Sequence, residues 1–290
     1  MVTVMRLGRA WCPGGRRCAA GVVAVLAACG VAGAAPSAAL AGSSSGPRWT
    51  KQAPATSPPG LFVTDMAYDA ATGTAVLFGG ETTGDHLFGG TWTWNGTIWT
   101  KRHPATSPPA QSDAAMAYDA ATGTVVLFGE HGGTWTWDGM TWTKQHPAAS
   151  PSARIFTSMA YDAATGTVVL FGGRRGGFSA FNDTWTWDGT TWTKRAPAAS
   201  PSPRKGAVMA YDAATGTVVL FGGLNKAGGR AFNDTFTWNG TTWTKQATAT
   251  GPSARWGGAM AYDAATGTVV LFGGVNPGAS FVDDDTWTWG

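Results

Sequence analysis

The stretch MAYDAATGTVVLFGG, residues 159–173, recurs without a change from Met209 and from Met260. Two further copies differ at one position each: Ala75 replaces the first Val in the copy from Met66, and Glu130 replaces the last Gly in the copy from Met116. Successive copies begin 50, 43, 50 and 51 residues apart, a period that marks a repeat architecture before any other feature is weighed. Each unit reads as four short strands. M-A-Y-D is the first, and the turn A-A-T-G places Gly73, Gly123, Gly166, Gly216 or Gly267 where a left-handed residue closes a hairpin. T-V-V-L-F is apolar almost throughout, as a strand buried on both faces must be. After Gly-Gly and a loop comes T-W-T-W, whose strict alternation sends both Trp to one face. Asn95-Gly96, Asp138-Gly139, Asp188-Gly189 and Asn239-Gly240 then signal a hairpin into a fourth strand, W-T-K.

The order P-x-x-R, apolar strand, Gly-Gly, N-D-x-W and a final Trp before a charged residue resembles the kelch motif of the galactose oxidase and kelch β-propellers, across nearly all of residues 49–290. The resemblance implies an all-β fold, a five-bladed kelch-like β-propeller. Trp49-Thr50-Lys51 is a fourth strand with no first three before it, while the unit from Met260 reaches only T-W-T-W. The expectation is that the N-terminal strand closes the last blade, hiding edges that would otherwise aggregate. The repeated Tyr and Trp are then framework rather than a sugar-stacking surface.

Residues 1–41 read as an export signal peptide: Arg6, Arg9, Arg16 and Arg17 precede an apolar run from Cys18 to Ala35, and Ala39-Leu40-Ala41 permits cleavage. Residues 42–48 are a linker. The expected location is secreted, with anchoring through a lipidated Cys29 in Leu26-Ala27-Ala28-Cys29 as the alternative. Four of the 20 Lys+Arg lie in this leader, leaving 16 against 17 Asp+Glu, so the basic excess a nucleic-acid binder needs is absent. Cys12, Cys18 and Cys29 also precede Ala41, which excludes disulfides and a thiol nucleophile from the processed chain. No transmembrane segment is expected after processing, and the expected state is a monomer.

The units differ chiefly between Gly-Gly and the third strand, and in the five residues before each Met: LFVTD from Leu61, QSDAA from Gln111, RIFTS from Arg154, RKGAV from Arg204 and RWGGA from Arg255. In an up-and-down blade both segments lie on one face, at one mouth of the central channel, where a repeat protein carries its specificity. Acidic residues and all four His gather in the first two units, and Arg and Lys, among them Arg174, Lys205, Lys226 and Arg230, in the next two. The expected ligand-binding residues are Phe62, Asp65, Asp113, Glu130, Arg154, Arg204, Lys205, Arg255 and Trp256, with Trp256 free of any framework role. For the arginines the competing reading is the kelch residue that tethers the first strand. Converging at the mouth, they would grip an acidic group bidentately.

Copper-radical oxidation, which galactose oxidase performs through Tyr, His and a crosslinked Cys, lacks its cysteine here. A zinc site from His86, His103, His131 and His146 has no spacing to support it, since His103 and His146 occupy equivalent positions one unit apart. No metal, cofactor or catalytic residue is assigned. The function expected is a secreted or cell-envelope module that binds a protein or glycan ligand; the alternative is a carbohydrate-active enzyme, glycosidase-, sialidase- or epimerase-like, using the same mouth.

Overall fold

A computed structural model describes residues 51–176, 179–225, 229–278 and 282–290. The leader, the linker, Trp49, Thr50 and Lys226 lie outside them.

The described chain is all-β and forms five sheets in sequence order. Blade one contains β1 (Asp65–Asp69), β2 (Thr74–Phe78), β3 (Thr91–Trp94) and β4 (Trp99–Arg102). Blade two contains β5 (Ala115–Asp119), β6 (Thr124–Phe128), β7 (Thr134–Trp137) and β8 (Trp142–Gln145). Blade three contains β9 (Ser158–Asp162), β10 (Thr167–Phe171), β11 (Thr184–Trp187) and β12 (Trp192–Arg195), and blade four β13 (Val208–Asp212), β14 (Thr217–Phe221), β15 (Thr235–Trp238) and β16 (Trp243–Gln246). Blade five has three described strands, β17 (Ala259–Asp263), β18 (Thr268–Phe272) and β19 (Thr286–Trp289). Every neighbouring pair within a blade is antiparallel, and β1, β5, β9, β13 and β17 pack in that order as the inner strands.

Local chemistry sets the turns. Gly73, Gly123, Gly166, Gly216 and Gly267 have φ of 68 to 70°, the left-handed conformation the A-A-T-G reading requires. The third and fourth strands are joined differently from a two-residue Asn-Gly turn. Trp94 pairs with Trp99, so four residues intervene, and the Asn95 side chain accepts the Thr97 and Ile98 N–H groups. The short polar side chain does there what a primed turn would otherwise do.

The interfaces between blades are built mainly by the fourth-strand Trp. Trp142 sets its ring edge-on to Phe78 of the preceding blade at 5.4 Å and donates Nε1–H to Thr91 Oγ1 at 2.8 Å. Trp192 repeats this with Phe128 and Thr134, and Trp243 with Phe171 and Thr184. The last Trp of each third strand, Trp137, Trp187 or Trp238, tilts against it within the blade. All of these are essentially inaccessible to solvent, so the indoles are core, and each contributes about 4–6 kcal/mol of gross apolar burial. Blade five is the exception: β19 alternates exposed and half-buried residues, and Lys51 is exposed and outside any strand.

Candidate functional site

The segments before each inner strand and after each Gly-Gly meet on one face. Phe62 bridges Glu81, Ile155 bridges Arg174, Lys205 bridges Leu224 and Trp256 bridges Val275, so the variable residues stand in pairs on short ribbons. The next residue of each segment joins a relay of hydrogen bonds that runs from blade five back to blade one. Asp113 N–H donates to Val63 C=O at 3.0 Å, Phe156 to Asp113 at 3.2 Å, Gly206 to Phe156 at 2.8 Å and Gly257 to Gly206 at 2.8 Å. To reach back to the preceding blade, each donor and Val63 take positive φ, from 50 to 68°. Glycine suits that conformation, and two blades have it. Val63, Asp113 and Phe156 instead hold side chains at a position where an L-residue is strained, and such strain clusters at functional sites.

Arg154, Arg204 and Arg255 do not converge on this mouth. Each is buried, with 0–2 % of its surface exposed, and pairs with the Asp that opens the third strand of its own blade: Asp183, Asp234 or Asp285. Arg154 uses all five N–H groups, on Ser152 O and Oγ, Gly172 O and both Asp183 oxygens. Arg255 does the same with Ser253, Gly273 and Asp285. Phe181 and Phe232 cover Arg154 and Arg204 at 4.1 and 4.0 Å. Arg204 engages four of its five N–H groups on Ser202, Gly222 and Asp234 and is fully buried, so none of the three is open to a ligand carboxylate and the tether reading replaces the binding one. The sequence carries the same message internally. Blades one and two have Leu61 and Gln111 at the Arg position, and Gly90 and Gly133 where the Asp would be; both partners are absent together.

The tethers are electrostatic. The Arg255 hydrogen bond, the largest influence on Asp285, holds that carboxyl down at about 2. Burial, the largest influence on Asp183, pushes its carboxyl up, and the Arg154 hydrogen bonds and charge outweigh it to leave a lowered value.

Trp256 is also not the free rim residue expected. It is 8 % exposed and packs with Phe156, Leu224 and Ala231 in a small apolar cluster under the ribbons. Its ring meets Phe156 edge-on at 6.0 Å, and a Cβ on Gly206 would come within 2.9 Å of it. Lys205 lies over this pair, with Nζ 5.3 Å from the Phe156 centroid and 5.6 Å from Trp256. Arg174 covers Phe156 from its own blade at 5.5 Å. Desolvation, then the Arg174 charge, push the Lys205 amine below its ordinary value, and Asp113 acts in the opposite direction. Two cations, one carboxylate and two aromatic rings from blades two to five therefore meet at the mouth.

The other expected residues take different places. Asp65 is buried and accepts the N–H groups of Met66 and, across the blade boundary, Met116. Phe62 is half-buried against Glu81, and Glu130 is exposed on the short blade-two loop. His86, His103, His131 and His146 are exposed, and among the described residues no three His, Cys, Asp or Glu group together. Phe156, Arg174 and Val63 were missed as site residues. The signal for the relay was present in Gly206 and Gly257, aligned with Val63, Asp113 and Phe156 three residues before each Met.

A family profile described as the KLHDC2/KLHL20/DRC7 Kelch-repeats domain matches residues 134–289, just over half of the chain. Among solved structures, the one described as "Structure of YjhT" superposes with a TM-score of 0.59 at 14 % identity, over 78 % of this chain and 80 % of that one. No curated protein matches. Among the described residues no helix is long and apolar enough to cross a membrane.

Proposed function

The chain belongs to the kelch-repeat family, and from that premise we propose that it is an exported binding module that recognises a protein or glycan ligand at the cell envelope through the variable mouth. The observation that carries this reading is the contrast between frame and mouth. The inner strands, turns and indole contacts repeat nearly residue for residue, while the ribbon pairs at one mouth change from blade to blade. Strain retained at Val63, Asp113 and Phe156 supports the same place, because glycine occupies the equivalent positions of blades four and five. The ligand contact falls to Lys205 and Arg174, spread over Phe156 and Trp256, with Asp113 beside them. Such a surface suits a ligand that brings an acidic group to pair with the cations, which the buried rings beneath them hold in place. Export rests on the basic head, apolar run and Ala39-Leu40-Ala41 site of the leader.

The test is a direct binding screen of the purified chain on neutral and acidic oligosaccharides and on acidic peptides. Acidic members bind, less tightly as salt rises, and Lys205→Gln weakens them by about tenfold, the loss of one charge-assisted contact, without changing the melting profile. Preference for neutral members, or equal affinity of parent and variant, would overturn the reading.

A further inference from the structure

We propose that Lys205 is a reactive amine, placed at the mouth to condense with an aldehyde that also carries an acidic group. The acidic group is the part that rests on the acid-binding reading of the mouth. The amine's reactivity stands on its own surroundings.

Lys205 is the exception at its register. The equivalent positions, one before each residue of the hydrogen-bond relay, hold Phe62, Ser112, Ile155 and Trp256. Its backbone is pinned on both sides. Lys205 N–H donates to Leu224 O at 3.0 Å, Leu224 N–H donates back to Lys205 O at 2.8 Å, and Gly206 N–H donates to Phe156 O at 2.8 Å. The residue keeps 8 % of its surface exposed, whereas Lys51, Lys101, Lys144, Lys194 and Lys245, the other described lysines, are all exposed.

A hydrated ammonium ion is no nucleophile, because a proton occupies its lone pair. The neighbours of Lys205 work against that proton. The rings of Phe156 and Trp256, 5.3 and 5.6 Å from Nζ, displace water from the amine, and their π faces return only part of the lost hydration. The Arg174 guanidinium, 5.5 Å from the centroid of the same Phe156 ring, adds a like charge. Leu224 and Val275 of the two nearest ribbons bring no charge, and Asp113 acts the other way without prevailing. A desolvated lysine beside a second cation is the environment that turns an amine into a nucleophile toward carbonyl carbon.

Arg174 also supplies the anchor. Its guanidinium stays charged, and its planar fork suits a carboxylate. A carboxylate paired there brings an adjoining aldehyde to the amine that shares the Phe156 ring. The nitrogen lone pair then adds to the carbonyl carbon, the C=O π pair moves to oxygen, and one amine proton follows it. The carbinolamine expels its hydroxyl with the second amine proton as water, which leaves C=N. No oxidant or reductant takes part.

The experiment treats the purified full chain with glyoxylate or with acetaldehyde over a range of pH. Cyanoborohydride reduces each imine to a stable amine, and the modified lysines are located by peptide mass. Lys101, Lys144, Lys194 and Lys245 are the reference within the same chain. Lys205 is expected to react at lower pH than these, with a glyoxylate-to-acetaldehyde ratio about tenfold above theirs, the factor one charge-assisted contact supplies. Arg174→Gln is expected to bring that ratio down to the reference value. Modification of Lys205 no greater than that of the exposed lysines at every pH would overturn the proposal, and would leave the binding of acidic ligands to be decided by its own screen. A lead for Lys205 that is the same with both aldehydes would keep the reactive amine and overturn the acid anchor, and with it the acid-binding reading.

Discussion

Arg255 and Trp256 are neighbours in the most variable segment of the chain, and both turn out to be structural. For Arg255 the consequence is a pH dependence. Its hydrogen bonds keep the Asp285 carboxyl at about 2, below the ordinary 3.8, so the tether contributes fully above the unfolded carboxylate range and is lost as pH falls toward the folded value. Asp119 and Asp162 act in the opposite sense: burial raises their carboxyls, so their penalty is relieved on acidification. A comparison with Arg255→Met cancels that shared contribution. The parent's urea midpoint is expected to fall more steeply than the variant's between about pH 5 and pH 2; parallel profiles would show the pair to be energetically silent. Trp256→Ala is expected to cost about 3 kcal/mol by urea denaturation, approaching the roughly 3–5 kcal/mol of Trp187→Ala in the blade core. A loss under about 1 kcal/mol would return Trp256 to the role of a rim residue.

At the scale of elements, the connection into each inner strand matters more than the strand itself. Strands β1, β5, β9, β13 and β17 are nearly the same peptide, and their registers against the second strands are the same throughout. The segment before it carries the inter-blade hydrogen bond at a residue of positive φ, and at Val63, the acceptor at the blade-one end with φ of 50°, a β-branched side chain bears the strain. Val63 is also buried, so its side chain both gains and costs. Val63→Gly relieves strain worth about 1–2 kcal/mol while losing a similar burial, and is expected to leave stability within about 1 kcal/mol of the parent. Val63→Ala loses burial and keeps the strain, and is expected to be the less stable of the two, an inversion of the usual order of Ala over Gly. Chemical denaturation of the pair checks it; Ala at or above Gly would mean that this segment relaxes in solution. The same registers make the blades legible in the chain: alternating Trp and Thr, the A-A-T-G turn and the Asn/Asp-Gly hairpins place every described strand. The four-residue length of the hairpin was not legible, because the Asn or Asp side chain, rather than the backbone, closes it.

For the whole molecule, each described interface is made by one blade reaching back to the one before, through a relay hydrogen bond before the inner strand and, at the first three interfaces, a fourth-strand indole. The second Gly donates to the next blade at the Arg or Gln position, as Gly80 does to Gln111 O and Gly173 to Arg204 O. Because each blade is held by its neighbour, stability is a property of the series of blades rather than of any one of them. The full chain is expected to melt in one transition whose midpoint is independent of protein concentration; a midpoint that rises with concentration would point to strand exchange between copies.

The repeat by itself determined the fold class, the number of blades, the order of the strands and the face on which variation gathers, because each follows from side-chain alternation and turn chemistry within about fifty residues. Only the tertiary structure decided which variable residues lie at the mouth and which are sealed beneath it. Arg204 and Lys205 are adjacent in sequence, yet one is sealed against Asp234 and Gly222 and the other lies over aromatic rings at the mouth. Alternation within an extended segment sends neighbours to opposite sides, but which side is interior depends on what the fold places there: Asp234 of the same blade, across the Gly-Gly loop, for the arginine, and Trp256 of blade five beside the lysine.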